Sequence, residues 1–193
     1  MESTKKTIRR TLSVRRAALD AETIALAGRI LVAHLGGLRE YVDAAVLLAY
    51  VAKDNEVPTG ELIADARRRG KQVFLPRIED RWFARWREGA RLSRSPVSTL
   101  EPLEGEPLGR GEKPGIVLVP LLAWTAAGDR LGRGGGWYDR VLPGLGMAAI
   151  GAGYEFQERE HVPTEPCDVR LDYVVTEDRL IECGRVPSAR RLA

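Results

Sequence analysis

The chain has 193 residues, with 30 Lys plus Arg against 27 Asp plus Glu, a net charge of +3 and 44% hydrophobic residues. That size suits one domain with a full core, and the apolar share is too high for a disordered chain. No run approaches the roughly 18–20 apolar residues of a membrane helix, the N-terminus lacks the apolar stretch of a secretory signal, and Cys167 and Cys183 form neither a CxxC pair nor a zinc ligand set. These readings predict a single domain spanning 1–193, cytoplasmic, monomeric, without a membrane partner and with reduced thiols.

From Thr4 to about Leu38 the apolar residues Ile8, Leu12, Leu19, Ile24, Leu31 and Leu35 recur at helical spacing. Two helices are expected, with Ser13 or Asp20 as a cap and Gly36-Gly37 as the stop. The first twenty residues hold six basic groups against two acidic ones, an excess of +4, whereas the rest of the chain is nearly neutral at −1. Lys5 and Arg9, four apart, share one helix face, as do Lys6 and Arg10. Such a face is either simply solvated or turned towards an anion.

Ala44 to Val51 (AAVLLAYV) reads as a strand buried on both faces of a parallel sheet. A helix follows, with Thr59 as its N-cap and Arg67 to Gly70 at its end, and then a strand from Gln72 to Leu75 stopped by Pro76. This order is a βαβ unit. Residues 82–87 (WFARWR) alternate and predict a short, more exposed strand. Leu92 to Pro114, rich in proline and glycine, reads as a long surface excursion. Gly115 to Val119 is a buried strand, Tyr138 to Leu142 part of a helix, Met147 to Ala152 a further strand and Leu171 to Thr176 the last. The fold predicted is a three-layer α/β/α Rossmann-like domain with a mostly parallel sheet.

The segment with most chemical content is GDRLGRGGGWYD, residues 128–139, with five glycines and two arginines between a buried strand and a helix. Glycines permit close backbone approach, and free N–H groups ahead of a helix make an anion nest suited to phosphate. The spacing is neither that of the P-loop nor that of the dinucleotide fingerprint. Arginine adds a planar fork that can hold phosphate oxygens in pairs.

Four blocks together resemble the 5-formyltetrahydrofolate cyclo-ligase, or 5,10-methenyltetrahydrofolate synthetase, family. They are KKTIRR at 5–10, NEVPTGELI at 55–63 leading into RRGKQVFLPR at 68–77, VPLLAWTAAGDRLGRGGGWYDRVL at 119–142, and CDVRLDYVVTE at 167–177. The resemblance implies an ATP-dependent enzyme that turns 5-formyltetrahydrofolate into 5,10-methenyltetrahydrofolate with release of ADP and phosphate. It implies that ATP is bound by Lys5, Arg9, Arg130, Leu131, Gly132, Arg133, Gly134, Gly135, Gly136, Trp137 and Tyr138. Arg133 and the Gly134 to Gly136 backbone would carry the catalysis. The folate would meet Val51, Glu56, Trp124, Arg133 and Trp137, and Mg²⁺ would be held by Asp139 and Asp172.

Read alone, Glu56 could be a solvated carboxylate, Asp139 a helix first-turn charge, Asp172 an ordinary strand-end residue, and Trp124 a core residue. The chain differs from the family pattern at Pro58, Trp124-Thr125, Trp137 and Cys167. His34 and His161 match no functional position. The alternatives are a relative that keeps the nucleotide site but takes another formamide or carboxyl substrate, and a nucleic-acid-binding module that uses the basic N-terminal arm. The second lacks stacking aromatics and a reader fold, so no nucleic-acid partner is expected.

Overall fold

A computed structural model of the chain describes residues 4–109 and 115–184. Two helices open it. Helix α1 (Lys5–Ala17) is capped by the Thr4 hydroxyl, which accepts the Thr7 amide, and α2 (Ala21–Gly36) by the Asp20 carboxylate, 2.7 Å from the Thr23 amide. The break therefore falls at Asp20, and Ser13 lies inside α1. A short turn of helix, α3 (Arg39–Val42), leads into β1 (Val46–Leu48), and α4 (Gly60–Arg68) crosses to β2 (Gln72–Arg77). Thr59 precedes α4 but does not cap it, because its hydroxyl donates instead to the Tyr50 carbonyl in the loop that follows β1.

β2 runs through Pro76 rather than stopping there. Its pairing with β1 ends at Phe74, and from that point it has one neighbour, β3 (Trp82–Trp86), with Pro76 opposite Phe83. A strand with a single partner tolerates the missing N–H. β3 is also less exposed than its alternation suggests, since Phe83 and Ala84 are buried. The excursion that follows folds back over them: Leu108 N–H donates to the Phe83 carbonyl, and Arg85 N–H donates to that of Glu106. That excursion contains its own hairpin, β4 (Leu92–Arg94) with β5 (Leu100–Pro102); its residues 110–114 lie outside the described residues.

β6 (Gly115–Pro120) returns to the main sheet. A small hairpin, β7 (Ala123–Trp124) with β8 (Arg130–Leu131), precedes α5 (Trp137–Leu145), and β9 (Ala148–Ala152) follows. Beyond a 3₁₀ turn at Glu155–Gln157 come β10 (Tyr173–Val175) and β11 (Leu180–Glu182), a strand later than the sequence suggests. The sheet order is β11-β10-β9-β6-β1-β2-β3, in which the five inner strands are parallel and the two edges antiparallel. Successive strand residues point to opposite faces. Leu47, Leu118 and Ile150 pack with Leu31 and Leu35 of α2 and Leu62 of α4, whereas Val46, Leu48, Val117 and Val119 pack with Val141, Leu142 and Leu145 of α5. The mixed α/β architecture expected from the sequence is the one observed.

Helix α1 stands apart from both faces and seals a third cluster, Ile8 and Leu12 against Ala123, Leu131 and Val162. It is thus fixed on the β7–β8 hairpin beside the glycine-rich loop. No helix among the described residues is long and apolar enough to cross a membrane.

Leu118, fully buried on the central strand β6, has neighbours on both sides that cannot collapse into a void. Leu118→Ala is expected to cost about 2–5 kcal/mol, read as a lower urea midpoint with an unchanged denaturant slope.

Candidate functional site

Strands β1 and β6 are parallel neighbours, but the chain leaves them in opposite directions. From β1 it passes through α4 to β2 on one side, and from β6 through α5 to β9 on the other. A crevice opens at the carboxyl ends of such a pair, the usual ligand position in open α/β sheets. The β1–α4 loop brings Asp54, Asn55 and Glu56 to it, and the chain after β8 brings Gly132 to Gly136.

The glycine-rich loop is shaped for an anion. Gly134 has φ of 102° and Gly136, the N-cap of α5, has φ of 59°, both in the region open to glycine. The amides of Arg133 to Gly136 donate to no acceptor among the described residues. They sit at the positive end of α5. Arg9 of α1 lies directly on this loop: its Nε donates to the Gly132 carbonyl at 2.9 Å, and a Cβ on Gly134 would stand 3.2 Å from its guanidinium carbon.

Arg133 and Glu56, 77 residues apart in sequence, meet here. Arg133 Nε and Nη2 donate to Glu56 Oε1 at 3.1 and 3.0 Å, and Nη1 stands 2.8 Å from Asp54 Oδ2. Glu56 is buried, and its Oε2 accepts the Lys53 amide. Two further groups, which the sequence does not single out, stand behind this pair. Arg16 of α1 is buried at 2% exposure; its Nη1 donates to the Leu121 carbonyl and its Nε has no partner among the described residues. Burial depresses the Arg16 pKa, opposed chiefly by the Glu56 carboxylate. Tyr154, whose hydroxyl is likewise buried without a partner among the described residues, has its pKa pushed up to about 12 by burial. Only the position of Arg16 on the face of Ile8 and Leu12 could have flagged it, and an arginine on an apolar face is easily read as a charged margin.

Other expected site residues have neighbours of their own. Lys5 faces Glu165 and Asp168 of the segment before β10, at 2.8 and 3.2 Å, and its ammonium pKa is raised by Glu165 first. The helix register that puts Lys5 and Arg9 on one face thus divides them between two partners. Arg130 is buried, and both its terminal nitrogens hold Asp139 Oδ1, at 2.9 and 2.8 Å, so it braces the loop from below. Leu131 is buried against α1. Trp124 has no exposed surface; its indole N–H donates to the Tyr154 carbonyl, and the ring packs in the core, so it presents no face to a ligand. Trp137 packs edge-on against Phe83 and Tyr138, with ring centroids 5.1 and 4.9 Å away. Val51 is half-buried just past β1, and burial raises the Tyr138 hydroxyl pKa.

Asp139 and Asp172 do not converge. Asp139 is on the first turn of α5, while Asp172 accepts the Ala149 amide beyond the other end of that helix, at the amino edge of the sheet. Among the described residues no group of three or more His, Cys, Asp or Glu side chains is arranged to hold a metal ion. Asp139 Oδ1 takes Arg130 and the Val169 amide, and its Oδ2 has no hydrogen bond from a described residue. One carboxylate oxygen with phosphate oxygens and water is a set that suits Mg²⁺; a two-carboxylate site with Asp172 does not fit.

The model of the 5-formyltetrahydrofolate cyclo-ligase family matches residues 1–177. The chain belongs to this family. It is 29% identical over 153 residues to the 5-formyltetrahydrofolate cyclo-ligase of Escherichia coli K12, covering 73% of this chain and 82% of the relative. It is 30% identical over 182 residues to the Mycolicibacterium smegmatis protein of that name, covering 86% and 88%. The NMR structure of Aquifex aeolicus 5,10-methenyltetrahydrofolate synthetase superposes with a TM-score of 0.81 at 26% identity, over 95% of each chain. Within the cyclo-ligase frame the departures at 124 and 125 are structural ones. Trp124 fills the core, and the Thr125 hydroxyl accepts the Asp129 amide to close the β7–β8 turn. Cys167 is exposed.

Because Asp139 is the carboxylate partner of the buried Arg130, its loss leaves that charge unpaired. Asp139→Asn is expected to lower stability by about 2–3 kcal/mol, below the roughly 3–5 of a fully buried pair because solvent reaches Asp139. Denaturant unfolding checks this, and a variant as stable as the parent would contradict the bracing role.

Proposed function

We propose that the protein closes 5-formyltetrahydrofolate to 5,10-methenyltetrahydrofolate at the expense of ATP, releasing ADP and phosphate. The observation that carries this reading is the meeting of Arg133 with Glu56 beneath Arg9 at the β1/β6 crevice. It sets a phosphate-binding loop and a buried carboxylate side by side.

The chemistry follows from the substrate. An N-formyl group is an amide, and ring closure on its carbon would have to expel an oxide or hydroxide. If the formyl oxygen attacks the γ-phosphorus, the bond from phosphorus to ADP breaks. The carbon is then an iminium-like electrophile bearing a phosphate ester. N10 of the folate attacks it, its proton is lost, and phosphate departs with the former formyl oxygen. Little covalent work is asked of the protein; positioning and charge stabilisation are its tasks.

In this reading the free amides of Arg133 to Gly136 and the Arg9 guanidinium bind the phosphates, and Arg133 reaches the γ-phosphate and the formyl oxygen that attacks it. Glu56 accepts two N–H groups from the amide edge of the pterin ring. Val51 and Trp137 flank that ring. Arg130 acts through Asp139 by holding the start of α5. Mg²⁺, when bound, supplies neutralising charge across the phosphate oxygens, and Asp139 Oδ2 is the group that would hold it.

Mixing the protein with 5-formyltetrahydrofolate and MgATP is expected to produce the near-ultraviolet absorbance of methenyltetrahydrofolate, with one ADP per product. ATP hydrolysis of equal rate without the folate would favour a relative acting on another formamide or carboxyl group.

Gly134→Ala tests the loop itself. Its positive φ and the proximity of Arg9 predict a strain of about 1–3 kcal/mol. The expected result is an ATP KM raised roughly tenfold or more, with the protein still folded and its melting temperature lowered by about 2–10 °C; an unaltered KM would remove this loop from the nucleotide site.

A further inference from the structure

Every nitrogen of the Arg133 guanidinium is engaged by a carboxylate of the β1–α4 loop. Nε and Nη2 share Glu56 Oε1, and Nη1 holds Asp54 Oδ2 at 2.8 Å. Glu56 in turn has one oxygen committed to the Lys53 amide and the other to Arg133. A phosphate that takes the arginine fork must draw it off the two carboxylates. A pterin edge that takes both oxygens of Glu56 must displace Arg133 as well. The two ligands therefore compete with the same ion pair and not with each other.

The loop that presents Asp54 is built for this purpose at a conformational cost. Asp54 and Asn55 both have positive φ, 49° and 57°, unusual for two successive non-glycine residues. The turn is pinned by the Asn55 side-chain amide, which donates to the Arg16 carbonyl at 3.2 Å and the Ala17 carbonyl at 3.4 Å at the end of α1. With Asn55 tied to α1, the Asp54 carboxylate is held on the solvent side of Arg133 while Glu56 holds the buried side; the Asp54 side chain is 66% exposed.

We propose that Asp54 is a positioning residue that, with Glu56, holds Arg133 away from the phosphate position until a ligand displaces it, so that nucleotide and folate bind with positive coupling through this arginine. The inference rests on the functional reading above. Binding of either ligand opens the clasp once, and the second ligand meets an arginine or a glutamate already released. By linkage the coupling is reciprocal. Arg16, buried close to Glu56, remains as a positive charge beside that carboxylate after Arg133 has moved.

The test is calorimetric titration of the wild-type protein and of Asp54→Asn with a non-hydrolysable ATP analogue and Mg²⁺, with and without saturating 5-formyltetrahydrofolate. Asparagine keeps the left-handed backbone accessible. The wild type is expected to bind the analogue about five- to tenfold more tightly when the folate is present. In Asp54→Asn the analogue alone should bind about two- to fivefold more tightly, the worth of one largely exposed ion pair. Its affinity in the presence of folate should be unchanged, so the coupling ratio falls by the same factor.

Equal tightening with and without folate would mean that removing a negative charge merely raised the local potential, and would overturn the proposal. So would a wild type that binds both ligands independently, or a variant with an unaltered coupling ratio. A wild-type protein that binds neither ligand would overturn the functional reading and the inference together.

Discussion

The parallel pairing of β1 with β6 does more for the site than any single side chain. Leu48 lies opposite Val117, and β6 runs on beside β9 to Pro120, so the chain leaves both strands on the same, carboxyl side of the sheet. Their crossovers depart to opposite sides, towards β2 and towards β9. The β1 loop and the glycine-rich loop face each other across the crevice as a consequence of topology, and Glu56 and Arg133 meet there although 77 residues separate them. Shifting the register of either strand by one residue would exchange the two core faces and dismantle both walls.

Charge at this point is balanced locally. Arg9, Arg16 and Arg133 converge on a small volume, yet each has a different compensation: a loop carbonyl for Arg9, a carbonyl and a nearby carboxylate for Arg16, two carboxylates for Arg133. Burial of a guanidinium is costly unless it is paired, and Arg16, whose Nε finds no partner among the described residues, is the least satisfied of the three. An anionic ligand entering such a place meets Arg9 already oriented on the loop and Arg16 already buried, whereas Arg133 must first leave its two carboxylates. The Arg130–Asp139 pair plays a different part. It lies beneath the loop and ties the start of α5 to β8, so the amides above it keep their direction.

The strands and helices were legible wherever hydrophobic period and capping chemistry agreed. Asp20 ends one helix register and starts another, and the apolar runs of β1 and β6 are buried on both faces as a central parallel strand requires. Pro76 misled because a proline is a strand-breaker only where a ladder N–H is needed, and β2 has a single partner there. The glycine-rich loop could be named from its residue types, whereas Glu56 is named through the family resemblance, since alone it reads as a solvated carboxylate. Asp54 and Arg16 could not be named: a carboxylate beside a turn and an arginine on a helix have many ordinary uses, and only the packing of α1 on the β7–β8 hairpin gives these two a common neighbour. Trp124 shows the opposite case. An aromatic residue near a ligand loop reads as a wall, but its indole N–H found a buried carbonyl and the ring went to the core.

The positive excess of the first helix resolves in the same way. As a count, +4 over twenty residues suggests a uniform basic face. In the fold the helix distributes its charges by register. Arg9 goes to the glycine-rich loop, Lys5 to Glu165 and Asp168, Arg16 into the interior, and Arg15 over the Phe156 ring, 4.5 Å from its centroid. Lys6 and Arg10 remain exposed. Net charge is therefore a poor guide to what the helix does. Its function depends on 3.6-residue periodicity delivering Arg9 and Arg16, seven apart and so on nearly the same face, to the front and the back of one crevice. Ile8 and Leu12 between them fix the height at which both arrive, because their burial against Ala123 and Leu131 leaves the helix no freedom to slide along its axis.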